Sequence, residues 1–71
     1  MNREIIAKDI GGVKRCYGVG KTFVEAMREC RKACHEYMAA RKDIDALYLY
    51  YGDTERPVID AARYETMSVK R

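Results

Sequence analysis

The spacing of apolar residues changes twice along this chain. It runs with a period near two at the start, near 3.6 in the middle and near two again afterwards. Residues 3–10 are rich in Ile, and Gly11-Gly12 follows as turn punctuation before a second alternating run at 13–19. Two short runs joined by a Gly-Gly pair predict a β-hairpin. In the second run Val13, Arg15, Tyr17 and Val19 share one face, and Lys14 and Cys16 take the other. With the Val and Tyr face inward, Arg15 is expected at its rim with its head snorkelling to water.

A helix is predicted over residues 22–42. Thr22 is its N-cap, and Glu25 three residues on completes a capping box. The hydroxyl accepts from the Glu25 amide while the carboxylate reaches back to the cap amide. At about 100° per residue, Phe23, Ala26, Met27, Cys30, Ala33, Cys34, Tyr37 and Met38 form one apolar stripe. Arg41 and Lys42 are expected in the last turn, where cations suit the negative end of the helix dipole. Such a helix spans roughly 30 Å and is expected to lie diagonally across the whole sheet.

The period then returns to two over residues 46–51, with Leu47, Leu49 and Tyr51 on one face and Tyr48 and Tyr50 on the other. After a turn at 52–54, residues 57–64 are expected to return as a strand, started or edged by Pro57. A short helix from Pro57 is the rival reading, and fraying is expected from about Met67. The order is ββαβ, with residues 57–64 as the expected fourth strand. This is a small two-layer α+β domain, one long helix on a mostly antiparallel sheet, occupying all of residues 1–71.

Composition adds bounds rather than detail. A chain of 71 residues buries only about 60% of its unfolded surface, so a partner or a second copy helps it. A Tyr- and Leu-rich edge strand makes homodimerisation a reasonable expectation. The net charge is +3, with ten basic and six acidic side chains in residues 1–43. That excess permits nucleic acid or an acidic protein as partner. Three cysteines, no apolar leader and no long apolar run indicate a cytoplasmic protein without a membrane segment.

Candidate chemistry is sparse. Cys30, Cys34 and Cys16 with His35 offer soft ligands, but both helix cysteines lie on the apolar stripe and His35 points about 100° away from Cys34. They read as core, with no metal or other cofactor. Gly18-Val19-Gly20-Lys21-Thr22 ends like a phosphate-binding loop, yet position 15 holds Arg where that motif needs its first Gly. The carboxylates are dispersed, with no triad or acid–base pair, so no catalytic residues are assigned and an enzyme is not expected. Two surfaces remain as partner-binding candidates. Arg28, Arg31, Lys32, His35 and Lys42 form a basic ridge beside a strip of Glu25, Glu29 and Glu36, and Tyr48 and Tyr50 lie on the open face of the sheet.

The stretch from Gly20 to Met27 (Gly-Lys-Thr-Phe-Val-Glu-Ala-Met), followed by Arg31, Ala33, Tyr37 and Met38, resembles the N-terminal domain of HicB-like antitoxins. The similarity covers about residues 13–40. It implies a reduced RNase H-like α+β domain that blocks a ribonuclease toxin. Arm-binding domains of phage-type integrases share a similar Thr-x-x-Glu-Ala entry. No DNA-binding helix-turn-helix or ribbon-helix-helix segment is expected after residue 64. The expectation is a protein-binding inhibitor or antitoxin-like module of phage or mobile-element origin, the anti-CRISPR class included. The alternative is a small nucleic-acid-binding protein that uses the basic ridge or the tyrosine face.

Overall fold

The computed structural model describes residues 2–53 and 63–68. Strands β1 (Arg3–Lys8), β2 (Lys14–Gly20), β3 (Ala46–Asp53) and β4 (Arg63–Ser68) form one sheet in the order β2-β1-β3-β4. Every neighbouring pair is antiparallel. Helix α1 (Phe23–Ala40) covers one face. The α+β architecture expected from the sequence is therefore the observed one.

The hairpin forms where Gly11-Gly12 places it, and Asp9 organises its turn. The Asp9 amide donates to the Val13 carbonyl at 3.0 Å and the Gly12 amide donates to the Asp9 carbonyl at 3.0 Å. The Asp9 Oδ1 atom accepts from the amides of Gly11 at 2.9 Å and Val13 at 3.0 Å. Gly12 adopts φ 82°, a left-handed value that a side chain makes costly.

The inward face of β2 is the reverse of the expected one. Cys16 and Gly18 are buried, whereas Val13 and Tyr17 are 52% and 66% exposed. The reason is steric. A Cβ added to Gly18 would collide with the Cys30 amide and the Ala26 carbonyl and lie 2.8 Å from the Cys30 Cα. One added to Gly20 would lie 2.5 Å from the Glu25 Cβ. The helix backbone rests directly on β2, and only glycine fits beneath it. A bulge opposite Lys8, where the register skips Arg15, also breaks the alternation, so Lys14 and Cys16 do not share a face.

The capping box forms with one change. The Glu25 amide donates to Thr22 Oγ1 at 3.2 Å, but the Glu25 carboxylate accepts from the Lys21 amide at 2.8 Å rather than from the cap amide. The apolar stripe is inward as expected from Ala26 on: Ala26, Met27, Cys30, Cys34 and Met38 are buried, and Ala33 and Tyr37 pack against them half-buried, whereas Phe23, its expected first member, stays exposed at the edge. The helix stops at Ala40, two residues before the expected end, and no basic residue lies in its last turn. Continued at about 100° per residue, it would turn Arg41 and Asp45 onto the buried stripe. Instead Arg41 becomes the C-cap in extended conformation, and Ile44 folds back to close the core.

Three further expectations are corrected. The backbone of α1 comes down on β2 and then β1 rather than lying evenly and diagonally across the sheet, and β3 and β4 reach the shared core through Leu47, Leu49 and Met67. The Tyr- and Leu-rich strand β3 pairs on both sides, with β1 and β4, so it is not an edge and offers no free strand for dimerisation. Strand β4 runs to Ser68, and Met67 packs against the core where fraying was expected, because it lies opposite Leu47. Residues 57–62 of the expected fourth strand lie outside the described residues.

On β1, Ile5 and Ala7 face the helix with Leu47 and Leu49, all fully buried. Each large aliphatic side chain buried this way contributes about 1.5–3 kcal/mol. Ile6 points to the other face and is still only 1% exposed, which explains why β1 is apolar at successive positions.

The two kinds of glycine separate experimentally. Gly18→Ala forces backbone against backbone and is expected to cost about 3 kcal/mol or more. Gly12→Ala meets no atom within 4 Å and should cost about 1 kcal/mol through its positive φ alone. Urea unfolding of both variants tests this, and equal losses would refute the close-contact account.

Candidate interaction surface

The helix ridge assembles from four of its five expected members. Arg28, Arg31, Lys32 and His35 are all exposed on α1. Lys42 is exposed too, but it lies past the helix end and does not extend the ridge, for the reason that ends the helix at Ala40. Tyr48 and Tyr50 are half-buried on the opposite face of the sheet. The ridge and the tyrosines are thus two surfaces separated by the whole domain.

The ridge has an apolar neighbour that the sequence reading did not identify. Phe23 and Tyr51 meet edge to face with ring centroids 4.9 Å apart at 78°, and the Arg3 guanidinium lies 5.1 Å from the Phe23 ring centre. Beside them Val24 is 70% exposed. Phe23, Val24 and Tyr51, with Met27, Arg28 and Arg31, line a notch of about 400 Å³. It opens because α1 is drawn onto β2 by the two glycines and stands away from β3. The signal for it was in the sequence. On the helical period Val24 falls inside the basic sector, between Arg31 and His35, where a solvated face has no use for an aliphatic side chain.

A polar chain closes the other end of the helix. Asp9 Oδ2 pairs with Arg15, whose Nε donates at 2.8 Å and whose second guanidinium nitrogen lies at 2.7 Å. Arg15 also donates to the Tyr37 hydroxyl at 3.4 Å, and Arg41 donates to the same oxygen at 3.1 Å. Arg41 then pairs with Asp43 through two nitrogens at 3.0 and 2.9 Å. The Arg15 position expected at the rim of a buried Val13–Tyr17 face lapses with that face; its head is half-buried and paired with Asp9 rather than snorkelling. The amide of Val13 and the guanidinium of Arg15 hold the Asp9 carboxyl below its ordinary 3.8, and Arg41 does the same for Asp43.

All three cysteines are free thiols in the core. The Cys16 thiol donates to the Ala33 carbonyl at 3.7 Å. Burial pushes Cys16 up to about 11, and Cys34 is also raised, chiefly because its thiol donates to the sulfur of Cys30. His35 points to solvent from the opposite side of α1. Among the described residues no three His, Cys, Asp or Glu side chains are grouped so as to hold a metal. Nor is any helix there long and apolar enough to cross a membrane. The loop that ends Gly-Lys-Thr spends its Thr on the helix cap, as expected.

The chain matches no family model, no curated protein and no solved structure.

Two measurements check this description. A carboxyl with a depressed folded pKa contributes stability that is present above its ordinary value and lost as pH falls through the folded value. Asp9→Asn should therefore be less stable than wild type at pH near 6, and the gap should narrow as pH falls below the ordinary carboxyl value of 3.8 and Asp9 itself becomes neutral. A gap in urea midpoint that stays constant over that range would contradict the pairing. Thiols that are buried in the core react through opening of the fold. A disulfide reagent at neutral pH should label the three cysteines slowly together in native protein and at once in urea; rapid native labelling of any of them would place it at the surface.

Proposed function

We propose that this protein is a small non-enzymatic binding module that inhibits or neutralises a protein partner. Antitoxin-like and anti-CRISPR inhibitors of phages and mobile elements are the classes it fits. The observation that carries this reading is the notch beside the helix ridge. An exposed Val24, an aromatic pair and Met27 form an apolar centre, and Arg28 and Arg31 stand at its margin. Aromatic residues and Arg are the types that dominate binding energy at protein interfaces, most of all around a dry centre. A phosphate backbone would satisfy the arginines and leave the apolar centre with nothing to cover it. A protein surface carrying an apolar side chain flanked by carboxylates satisfies both.

Supporting this, the resemblance to HicB-like antitoxins runs through the same segment, since Phe23, Val24, Met27 and Arg31 all lie within it. Lys32 and His35 continue the ridge and serve as its rim, where charges act on the rate of encounter more than on affinity. Among the described residues the dispersed carboxylates and the buried thiols supply no nucleophile or acid–base pair, which favours a binding role over an enzymatic one.

Affinity capture from the native host's lysate tests the proposal. Wild type and Tyr50→Ala should retain the same stoichiometric protein, and Val24→Asp with Arg28→Glu should lose it. Removing interface centres of this kind typically costs about 2 kcal/mol or more, a loss of roughly thirtyfold in affinity. Recovery of nucleic acid without a stable protein, or undiminished capture by the helix variant, would sink the reading.

A further inference from the structure

The open face of the sheet carries a surface that the helix-side reading does not use. Register places Tyr17 of β2, Ile6 of β1 and Tyr50 of β3 in one row across three strands. The next row holds Lys14, Lys8, Tyr48 and Thr66. The Lys8 ammonium lies 5.0 Å from the centre of the Tyr50 ring. Tyr17 is 66% exposed although its neighbour Ile6 is buried. Where the hairpin turn meets this face, Asp9, Ile10, Gly12, Tyr48 and Tyr50 line a shallow hollow of about 300 Å³.

From these placements we propose that the open face binds single-stranded nucleic acid, with bases on Tyr17 and Tyr50 and phosphates at Lys8 and Lys14. Several features favour this occupant. Tyr17 and Tyr50 are two strand spacings apart, roughly 10 Å, on a rigid antiparallel platform. Aromatic rings on a sheet face stack unpaired bases whatever their sequence, because every base has a π-face. The lysines lie in the row beside the rings, where a backbone passing over stacked bases has to run. Lys8 already sits against a ring, so a base stacked there gains the cation as a neighbour. Among the described residues, Glu4 lies opposite Val19 and Gly52, beyond Ile6 from the lysine row, and Asp9, at the hollow beside Tyr48 and Tyr50, is already paired with Arg15. A duplex hides its base faces and gains nothing from the rings.

This inference is independent of the protein partner proposed for the helix, because the two surfaces lie on opposite sides of the domain. Its test uses the intact chain and an oligothymidylate strand. The six tyrosines are unaccompanied by tryptophan, so intrinsic fluorescence reports tyrosine directly. At low salt, fluorescence should be quenched on titration, and a duplex of the same length should bind more weakly. Tyr17→Ala should reduce affinity roughly tenfold, while Tyr17→Phe, which keeps the ring, should retain it. Lys8→Glu should lower the salt dependence, whose slope for two phosphate contacts is about −1.4. Val24→Asp with Arg28→Glu should leave strand binding unchanged. The proposal is overturned by absence of binding at low salt, by equal or tighter duplex binding, or by a Tyr17→Ala protein that binds as wild type does. Loss of binding in Arg28→Glu with Lys32→Glu would also overturn it, since that would move the nucleic acid to the helix.

Discussion

The seat of helix α1 on β2 governs the rest of the molecule. A helix packed on a sheet normally stands off by the thickness of two layers of side chains, about 10 Å. Here Gly18 and Gly20 remove one layer, and the helix backbone comes down onto the strand. The residues able to share such a narrow gap are small, which is why Ala26, Cys30, Cys34 and Cys16 meet there. Free cysteine acts in that setting as a compact apolar side chain. The same tilt lifts the helix from β3. Larger groups then fill the wider side, with Leu47, Leu49 and Met27 inside and Phe23 with Tyr51 at the opening. The notch proposed for a partner is thus a by-product of how the core is packed.

A second constraint acts at the far end of the helix. Asp9, Arg15, Tyr37, Arg41 and Asp43 link the hairpin turn, strand β2, the helix and the loop into β3 through successive hydrogen bonds. Exposed ion pairs taken singly stabilise little. Chained through one phenol oxygen, they restrain all four segments together, and such networks can exceed the sum of their pairs. The glycine contact fixes how close the helix lies, and the polar chain fixes where it ends. A small core that gains about 25 cal/mol per Å² of apolar burial benefits from both.

Much of this was legible in the chain and some of it was not. The capping residues, the stripe from Ala26 to Met38 and the alternation of β3 follow from local periodicity, because each element's buried face repeats at its own spacing. The inward face of β2 did not follow. Hydrophobicity ranks Val13 and Tyr17 above Gly18, but a glycine's value here lies in what it lacks, and that depends on a helix backbone arriving from elsewhere. Arg41 was assigned to the helix because its charge suits a C-terminus, although its angular position already argued against it. The basic ridge and the tyrosine pair were found by sequence. Val24 was passed over although its angular position signalled it, and Phe23, Tyr51 and Tyr17 were read as inward-facing, because their exposure comes from tertiary placement and not from residue type.

The charge pattern of the helix decides which surface suits which kind of partner. Glu25, Glu29 and Glu36 run alongside Arg28, Arg31, Lys32 and His35, and neighbours three or four apart on a helix are about 5–6 Å away. That is inside the screening length of about 8 Å at physiological salt. Seen from farther out, the two strips largely cancel, and the ridge draws no polyanion from a distance. Its positive charge is felt only at contact, where the arginines can reach one side of a fitted surface and the glutamates another. Such mixed charge beside an apolar notch discriminates between protein surfaces by rejecting the wrong ones. On the open face Lys8 and Lys14 lie opposite one another in register with no carboxylate in their row. The smaller number of charges there is the less compensated one, and it stands next to tyrosine rings that can stack a base.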